Sequence, residues 1–341
     1  MIVTVSTVKD RLANVQRFVR GNLSGGADHM IVFLDSPDAE VEEWLAGQPD
    51  VTVVVGDRTW WQGTRPKLLN RRQQVNSNLA KGVLTTCPWA QWLFHVDADE
   101  FVRIDRTALE ELPDANRVAR LLPLEVVSKP HWDGEPNLFK RLLSEPELEL
   151  LSALGRLSEP TNSLYFRSHI VGKVGIRPSL DVRMHIHRAA DRRDENLQAV
   201  TRPGLRLLHL ESYSGEEFVR KWTAMLGSGP SVNFGPARMR LATAMQALLA
   251  RELPEETARR YLMEIYDRHM ADPVETLAEL GFLEQHSPGD GGQSPRSLSD
   301  AQRTQLRAAM EGLRNEDKTL FLPDQTPPRR AAATLARATR G

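Results

Sequence analysis

The sequence predicts an α/β chain: a doubly wound, mostly parallel sheet followed by a C-terminal helical extension. Three observations lead there. Short runs rich in Val and Ile alternate with helical apolar stripes in the first third of the chain, the pattern of strand–helix–strand units in a parallel sheet. Two of those runs end abruptly in carboxylates, at Asp35 and at Asp97-Ala98-Asp99-Glu100, and such sheets bind ligands beyond the carboxyl ends of their strands. From Ser214 onward, helical periodicity takes over.

The elements follow in order. Residues 2–5 read as a strand, and Leu12, Val15, Phe18 and Val19 then share one face of a helix that stops near Gly21-Asn22. Residues 30–34 form a second buried strand. After it, Ser36 is placed to cap and Pro37 to open a helix with Val41, Trp44 and Leu45 inward. Residues 51–55 give a third strand, residues 66–81 a longer helix, and a strand from Trp92 ends at Asp97. Strands are expected at 121–127, 163–171 and 183–187, with 137–157 as a helix or mobile flap. Ser214 and Glu217 form a capping box, as do Ser299 and Gln302. Helices are expected at 239–253, 255–270, 273–280 and 299–313. These signals divide the chain into a catalytic domain at 1–213 and a helical extension at 214–322. The Gly/Pro/Ser-rich stretch near 287–297 reads as a flexible linker, and 323–341 as a disordered or extended tail.

Composition narrows the function classes. The 341 residues include 44 basic and 45 acidic side chains, for a formal charge of −1, so no global charge argues for nucleic acid or an anionic membrane. A single cysteine, Cys87, rules out an intrachain disulfide and suits a reducing compartment. No apolar run approaches the ~20 residues of a membrane span, and the start lacks a secretory pattern. A cytoplasmic protein is expected. Trp60, Trp61, Trp89, Trp92 and Trp132 lie in the first half and suggest a ring-stacking surface there.

Alternation along a strand would put Asp97 and Asp99 on one side of its end. Such a pair suits Mg²⁺ or Mn²⁺ with positions open to phosphate oxygens, and therefore a diphosphate substrate. Thr4, Ser6 and Asp35 are polar residues at the earlier strand ends, available to a base or ribose. Leu69, Arg72, Asn76 and Leu79 make one stripe on the 66–81 helix, which aims Arg72 and Asn76, with Gln73 alongside, toward the cleft. His209 is the candidate third metal ligand, with His185 and His187 as competitors; its imidazole favours Mn²⁺ over Mg²⁺. Lys173 and Arg177 supply positive charge for a departing diphosphate.

These residues resemble a known family. Asp97-Ala98-Asp99-Glu100-Phe101 is similar to the D-x-D-E-F signature of family 2-like glycosyltransferases with the GT-A fold. A subgroup akin to the family 92 enzymes pairs it with further motifs. Here their counterparts are Arg72-Gln73-Gln74-Val75-Asn76, Gly172-Lys173 through Arg177-Pro178, and His209 through Ser214 to Phe218. The resemblance spans residues 2–222. Two segments depart from the pattern, Asp35-Ser36-Pro37-Asp38 and Val8-Lys9-Asp10-Arg11.

The resemblance implies hexosyl transfer, with inversion, from a nucleoside-diphosphate sugar to a saccharide or other hydroxyl. The donor would be UDP-linked and the cofactor Mn²⁺ or Mg²⁺. Inversion needs a carboxylate to accept the hydroxyl proton; Asp133 is the first candidate, followed by Glu211 and Asp181, and Trp132 would stack on the acceptor. The C-terminal helices are expected to wall the acceptor site or support a homo-oligomer. A metal-dependent nucleotidyltransferase and a non-catalytic nucleotide- or carbohydrate-binding protein are the alternatives. A phosphohydrolase with an aspartate nucleophile is disfavoured, because it carries D-x-D after its first strand.

Overall fold

The computed structural model describes residues 1–227 and 236–322. The chain begins β1 (Ile2–Val8), α1 (Leu12–Ser24), β2 (His29–Leu34), α2 (Ala39–Ala46), β3 (Val51–Val55), α3 (Arg58–Trp61), α4 (Leu69–Leu84) and β4 (Trp92–His95). It continues with β5 (Glu100–Ile104), α5 (Arg106–Glu110), β6 (Val118–Val126), β7 (Leu138–Lys140), α6 (Glu145–Ala153), α7 (Asn162–Tyr165) and β8 (Lys173–Ile176). Next come β9 (Arg183–Met184), β10 (Ala189–Ala190), β11 (Val200–His209), α8 (Gly215–Gly227), α9 (Pro236–Leu249) and α10 (Glu255–His269). The described part closes with α11 (Val274–Glu279), β12 (Leu283–Gln285), α12 (Asp300–Gly312) and a 3₁₀ turn at Lys318–Phe321.

Two compact units are present among the described residues: residues 1–123, 171–208 and 288–322, and residues 124–170 with 209–287. They interleave along the chain.

In the first unit the strands run β6-β8-β4-β1-β2-β3. β1 is parallel to β2 and β4, and β2 to β3, whereas β8 is antiparallel to β4 and β6. The sheet is covered on both faces. Val3 and Val5 of β1 pack with Val75, Leu79 and Val83 of α4 and Leu306 of α12. Ile2 and Val8 pack with Val15, Phe18 and Val19 of α1 and Val41 of α2. The alternation of β1 thus feeds two cores, as a buried parallel sheet requires.

Several local expectations are corrected. α2 is capped by Asp38, whose carboxylate accepts the Val41 N–H at 3.2 Å, not by Ser36. Residues 163–171 are not a strand: Tyr165 and Phe166 end a helical turn and are buried in the second unit. Residues 137–157 split into β7 and α6, and the strand expected at 183–187 shrinks to Arg183–Met184. Trp60, Trp61 and Trp92 are core residues rather than a stacking surface.

The expected flexible linker is pinned. Ser24 accepts the Gly291 N–H on its hydroxyl and the Gln293 N–H on its carbonyl. Asp28 accepts the Arg296 N–H at 2.9 Å. A Cβ on Gly291 would sit 2.5 Å from the Ser24 carbonyl, so glycine serves close approach here rather than freedom. The capping box of Ser299 and Gln302 closes reciprocally, whereas at Ser214 the hydroxyl receives the Glu217 N–H at 3.2 Å and the Glu217 carboxylate turns to Arg220. The predicted tail at 323–341 lies outside the described residues. Among the described residues no helix is long and apolar enough to cross a membrane.

The second unit has two small cores. Leu143, Leu148 and Leu151 pack with Leu277 and Phe282, and Phe218 and Trp222 pack with Leu262 and Tyr266. β7 pairs with β12 and with the end of β6.

Candidate active site

Three parallel strands of the first unit deliver polar residues at their carboxyl ends: Thr7 near the end of β1, Asp35 after β2 and Asp97 after β4. α4 supplies a partner for each. Arg72 grips both Asp35 oxygens, at 2.6 and 2.8 Å. Asn76 donates to Thr7 Oγ1 at 2.8 Å, and Gln73 donates to Asp97 Oδ1 at 2.5 Å. All three α4 side chains are buried. The helical stripe therefore found inward residues, but their partners are protein carboxylates and a hydroxyl. Arg65, which the sequence did not flag, adds a second cation to Asp35 at 3.2 Å.

Asp97 and Asp99 do not lie on a strand. β4 ends at His95, and Asp97-Ala98-Asp99-Glu100 is a turn in which the Glu100 N–H reaches the Asp97 carbonyl at 3.0 Å. The turn is built on charge. Lys173, wholly buried at the start of β8, donates to Asp97 Oδ2 at 2.6 Å and lies 3.6 Å from Glu100. Glu100 in turn accepts the Asp97 N–H at 2.7 Å. Burial opposes the lysine's charge, but Asp97 and Glu100 outweigh it and raise its pKa. His95 lies 3.7 Å from Asp97, and burial pushes its pKa down to about 4. Asp97 keeps 26% of its side chain exposed, and Asp99 is half-buried on the same turn. His95 and Glu100 were visible only as members of an apolar run and a motif; their buried positions follow from the turn.

Other candidates lie elsewhere. Thr4 and Ser6 are enclosed in the core, because β1 continues to Val8 and leaves them inside the strand. Arg177 is at the wrong end of β8: antiparallel pairing sets Lys173 near the end of β4 and Arg177 near its start. The separation is about 13 Å at ~3.3 Å per residue. Arg177 instead stacks on Trp92 at 4.6 Å and donates to the carbonyls of Asn116 and Leu112. His185 contacts Asp194, and His187 contacts the Gly172 carbonyl. Asp181 pairs with Arg192.

β11 ends at His209, in the second unit, and one of its ring nitrogens lies within 4.8 Å of a Glu211 oxygen. Glu211 is buried, accepts the Ser212 hydroxyl, and meets Lys221 at 3.0 Å and Arg238 at 2.7 Å. Asp133 lies on a surface loop, almost fully exposed, 3.5 Å from His131. Trp132 beside it donates to the Tyr213 carbonyl at 3.0 Å and carries Lys129 over its ring at 4.0 Å.

No protein-family model and no curated protein matches this chain. Among solved structures it is similar to HddC from Yersinia pseudotuberculosis, with 9% identity over 64% of this chain and 97% of that one, at a TM-score of 0.32. It is also similar to galactosyltransferase LgtC, solved in complex with donor and acceptor sugar analogs, with 14% identity over 52% and 58% of the two chains and a TM-score of 0.25. Glycosyltransferase GlyE in Streptococcus pneumoniae TIGR4 gives 10% identity over 94% and 62%, with a TM-score of 0.25. Likenesses this slight assign neither a family nor an activity, so the functional reading rests on the residues themselves.

Proposed function

We propose that this chain is a metal-dependent glycosyltransferase of GT-A type, moving a sugar from a nucleoside-diphosphate sugar, UDP-linked in the first instance, to an acceptor hydroxyl. The observation that supports it most is the lysine-backed acidic turn beyond a parallel strand's carboxyl end. A buried cation and three carboxylates in one turn are costly to assemble without a charged ligand to receive. Asp35, at the neighbouring strand end, is held by Arg72 and suits a base or ribose hydroxyl.

Asp97 and Asp99 are the residues of the first unit assigned to Mn²⁺ or Mg²⁺; His209, the expected third ligand, belongs to the second unit. The donor chemistry fits: carboxylate oxygens suit Mg²⁺ or Mn²⁺, and the ion when bound would neutralise charge on a departing diphosphate. Both Asp97 oxygens already accept bonds from Gln73 and Lys173, which puts the greater share of the ligand role on Asp99. Lys173 holds Asp97 in place and offsets its charge. For an inverting reaction the proton acceptor is assigned to Asp133, since Glu211 faces two cations and is a poor base.

The test is incubation with Mn²⁺ and UDP-, GDP- and dTDP-sugars. Slow donor hydrolysis to nucleoside diphosphate supports the transferase, pyrophosphate release favours a nucleotidyltransferase, and binding without turnover a binding protein. Asp99→Ala is expected to weaken metal-dependent donor binding by at least about 100-fold with the fold intact. Full Mn²⁺-stimulated activity in that variant would remove the metal role.

A further inference from the structure

α4 is fastened to the sheet of the first unit at three neighbouring strand ends. β1 lies between β2 and β4. Arg72 reaches Asp35 after β2, Asn76 reaches Thr7 in β1, and Gln73 reaches Asp97 after β4. Arg72 also donates to the carbonyls of Pro66 and Lys67, at 3.0 and 2.7 Å, and the Ser77 hydroxyl donates to the Gln73 carbonyl at 2.7 Å. With strands ~4.8 Å apart, the grips on Asp35 and Asp97 are spread over about 10 Å, so the helix can neither roll nor slide without breaking one of them. Gln73 is 6% exposed, and only its amide nitrogen can face an ionised carboxylate, which has no hydrogen to give.

Asp97 is engaged on both oxygens, by Gln73 on Oδ1 at 2.5 Å and by Lys173 on Oδ2 at 2.6 Å. The two donors act differently. Lys173 offsets the carboxylate's charge. Gln73 brings no charge, and its bond occupies an oxygen that a hard cation would otherwise claim. A hydrogen bond to a charged oxygen from a buried, immobile donor must be broken or shared before that oxygen can ligate an ion. Asp97 keeps 26% of its side chain exposed, so these bonds, rather than enclosure, limit its availability.

We propose that Gln73 is a positioning residue that withholds Asp97 from the cation, an inference that rests on the metal reading of this turn. The ion is then held through Asp99, and the remaining oxygens come from a nucleoside diphosphate. Cation binding is thereby conditional on the donor, and the condition is set by a neutral side chain on α4 rather than by the acidic turn itself.

The test is Mn²⁺ binding to the full chain, read by loss of the free-ion EPR signal, with and without UDP. Wild type is expected to bind Mn²⁺ at least about tenfold more tightly when UDP is present. Gln73→Met and Gln73→Leu release Oδ1 and are expected to bind the ion about tenfold more tightly without UDP, so that UDP adds correspondingly less. A residue that only packed α4 on the sheet would give the opposite, weaker binding in both variants. Unchanged or weakened UDP-free Mn²⁺ binding in both, with Asp99→Ala still losing the ion, would overturn the Gln73 assignment and leave the transferase reading standing. Mn²⁺ binding unaffected by Asp99→Ala would remove the metal reading itself.

Discussion

Each unit buries one lysine against two carboxylates, and the two lysines serve different ends. Lys140 is enclosed with Glu125 and Asp272, which are 1% and 2% exposed. Every charge there is spent inside the protein, on the peptides before His169 and on Ser128. Lys173 is enclosed just as fully and Glu100 with it, but its nearer partner, Asp97, keeps 26% of its side chain exposed. A closed triad fixes backbone; an open one presents a held carboxylate to whatever enters. The same ionic composition therefore gives an enclosed brace in one place and a partly exposed carboxylate in the other.

The largest effect is expected from breaking the brace. Lys140→Met keeps the volume but strands two buried carboxylates, a loss of about 3–5 kcal/mol, readable as a shifted midpoint in urea unfolding. Lys173→Met should cost less, about 1–3 kcal/mol, because Asp97 can take water and Gln73 while only Glu100 is left fully buried. Donor binding should nonetheless be lost in that variant. Equal stability losses for the two variants would break the comparison, as would full donor binding by Lys173→Met.

The sequence was legible where chemistry repeats locally. The periodicity of α4 located Arg72 and Asn76, and the apolar run before Asp97 located the acidic turn. What it could not show was the partners: Asp35 is 37 positions from Arg72, and Thr7 is 69 from Asn76. The same distance in sequence explains the misread linker, whose Gly and Pro fit a flexible segment until Ser24 and Asp28 are seen to bind it, the latter from 268 residues away. Arg177 and Lys173 look alike in a motif four residues apart. Only the antiparallel setting of β8 separates the one beside Asp97 from the one against Trp92. His169 lay in a stretch whose apolar alternation suggested a strand, while the carboxylate that shapes it, Glu125, belongs to another element.

The smallest expected effect distinguishes the two triads by pH. Burial works to raise the Glu125 pKa, but Lys140 and the donors from Arg167 and Ser168 overcome it and hold the carboxyl below its ordinary value of 4.5. A depressed acid contributes stability that is present above 4.5 and lost as pH falls through its folded value. For Lys173 the folded pKa is raised above 10.5, so its contribution is complete below 10.5 and is lost as pH rises through the folded value. Glu125→Gln should therefore flatten the acid limb of a stability–pH curve and Lys173→Met the alkaline limb, each leaving the other limb in place. Two buried histidines provide an internal control. Burial depresses His29 to about 3 and His95 to about 4, so their contribution begins to fall already below 6.5, before Glu125 titrates. An acid limb in Glu125→Gln as steep as that of wild type would show that the closed triad is not what acid releases.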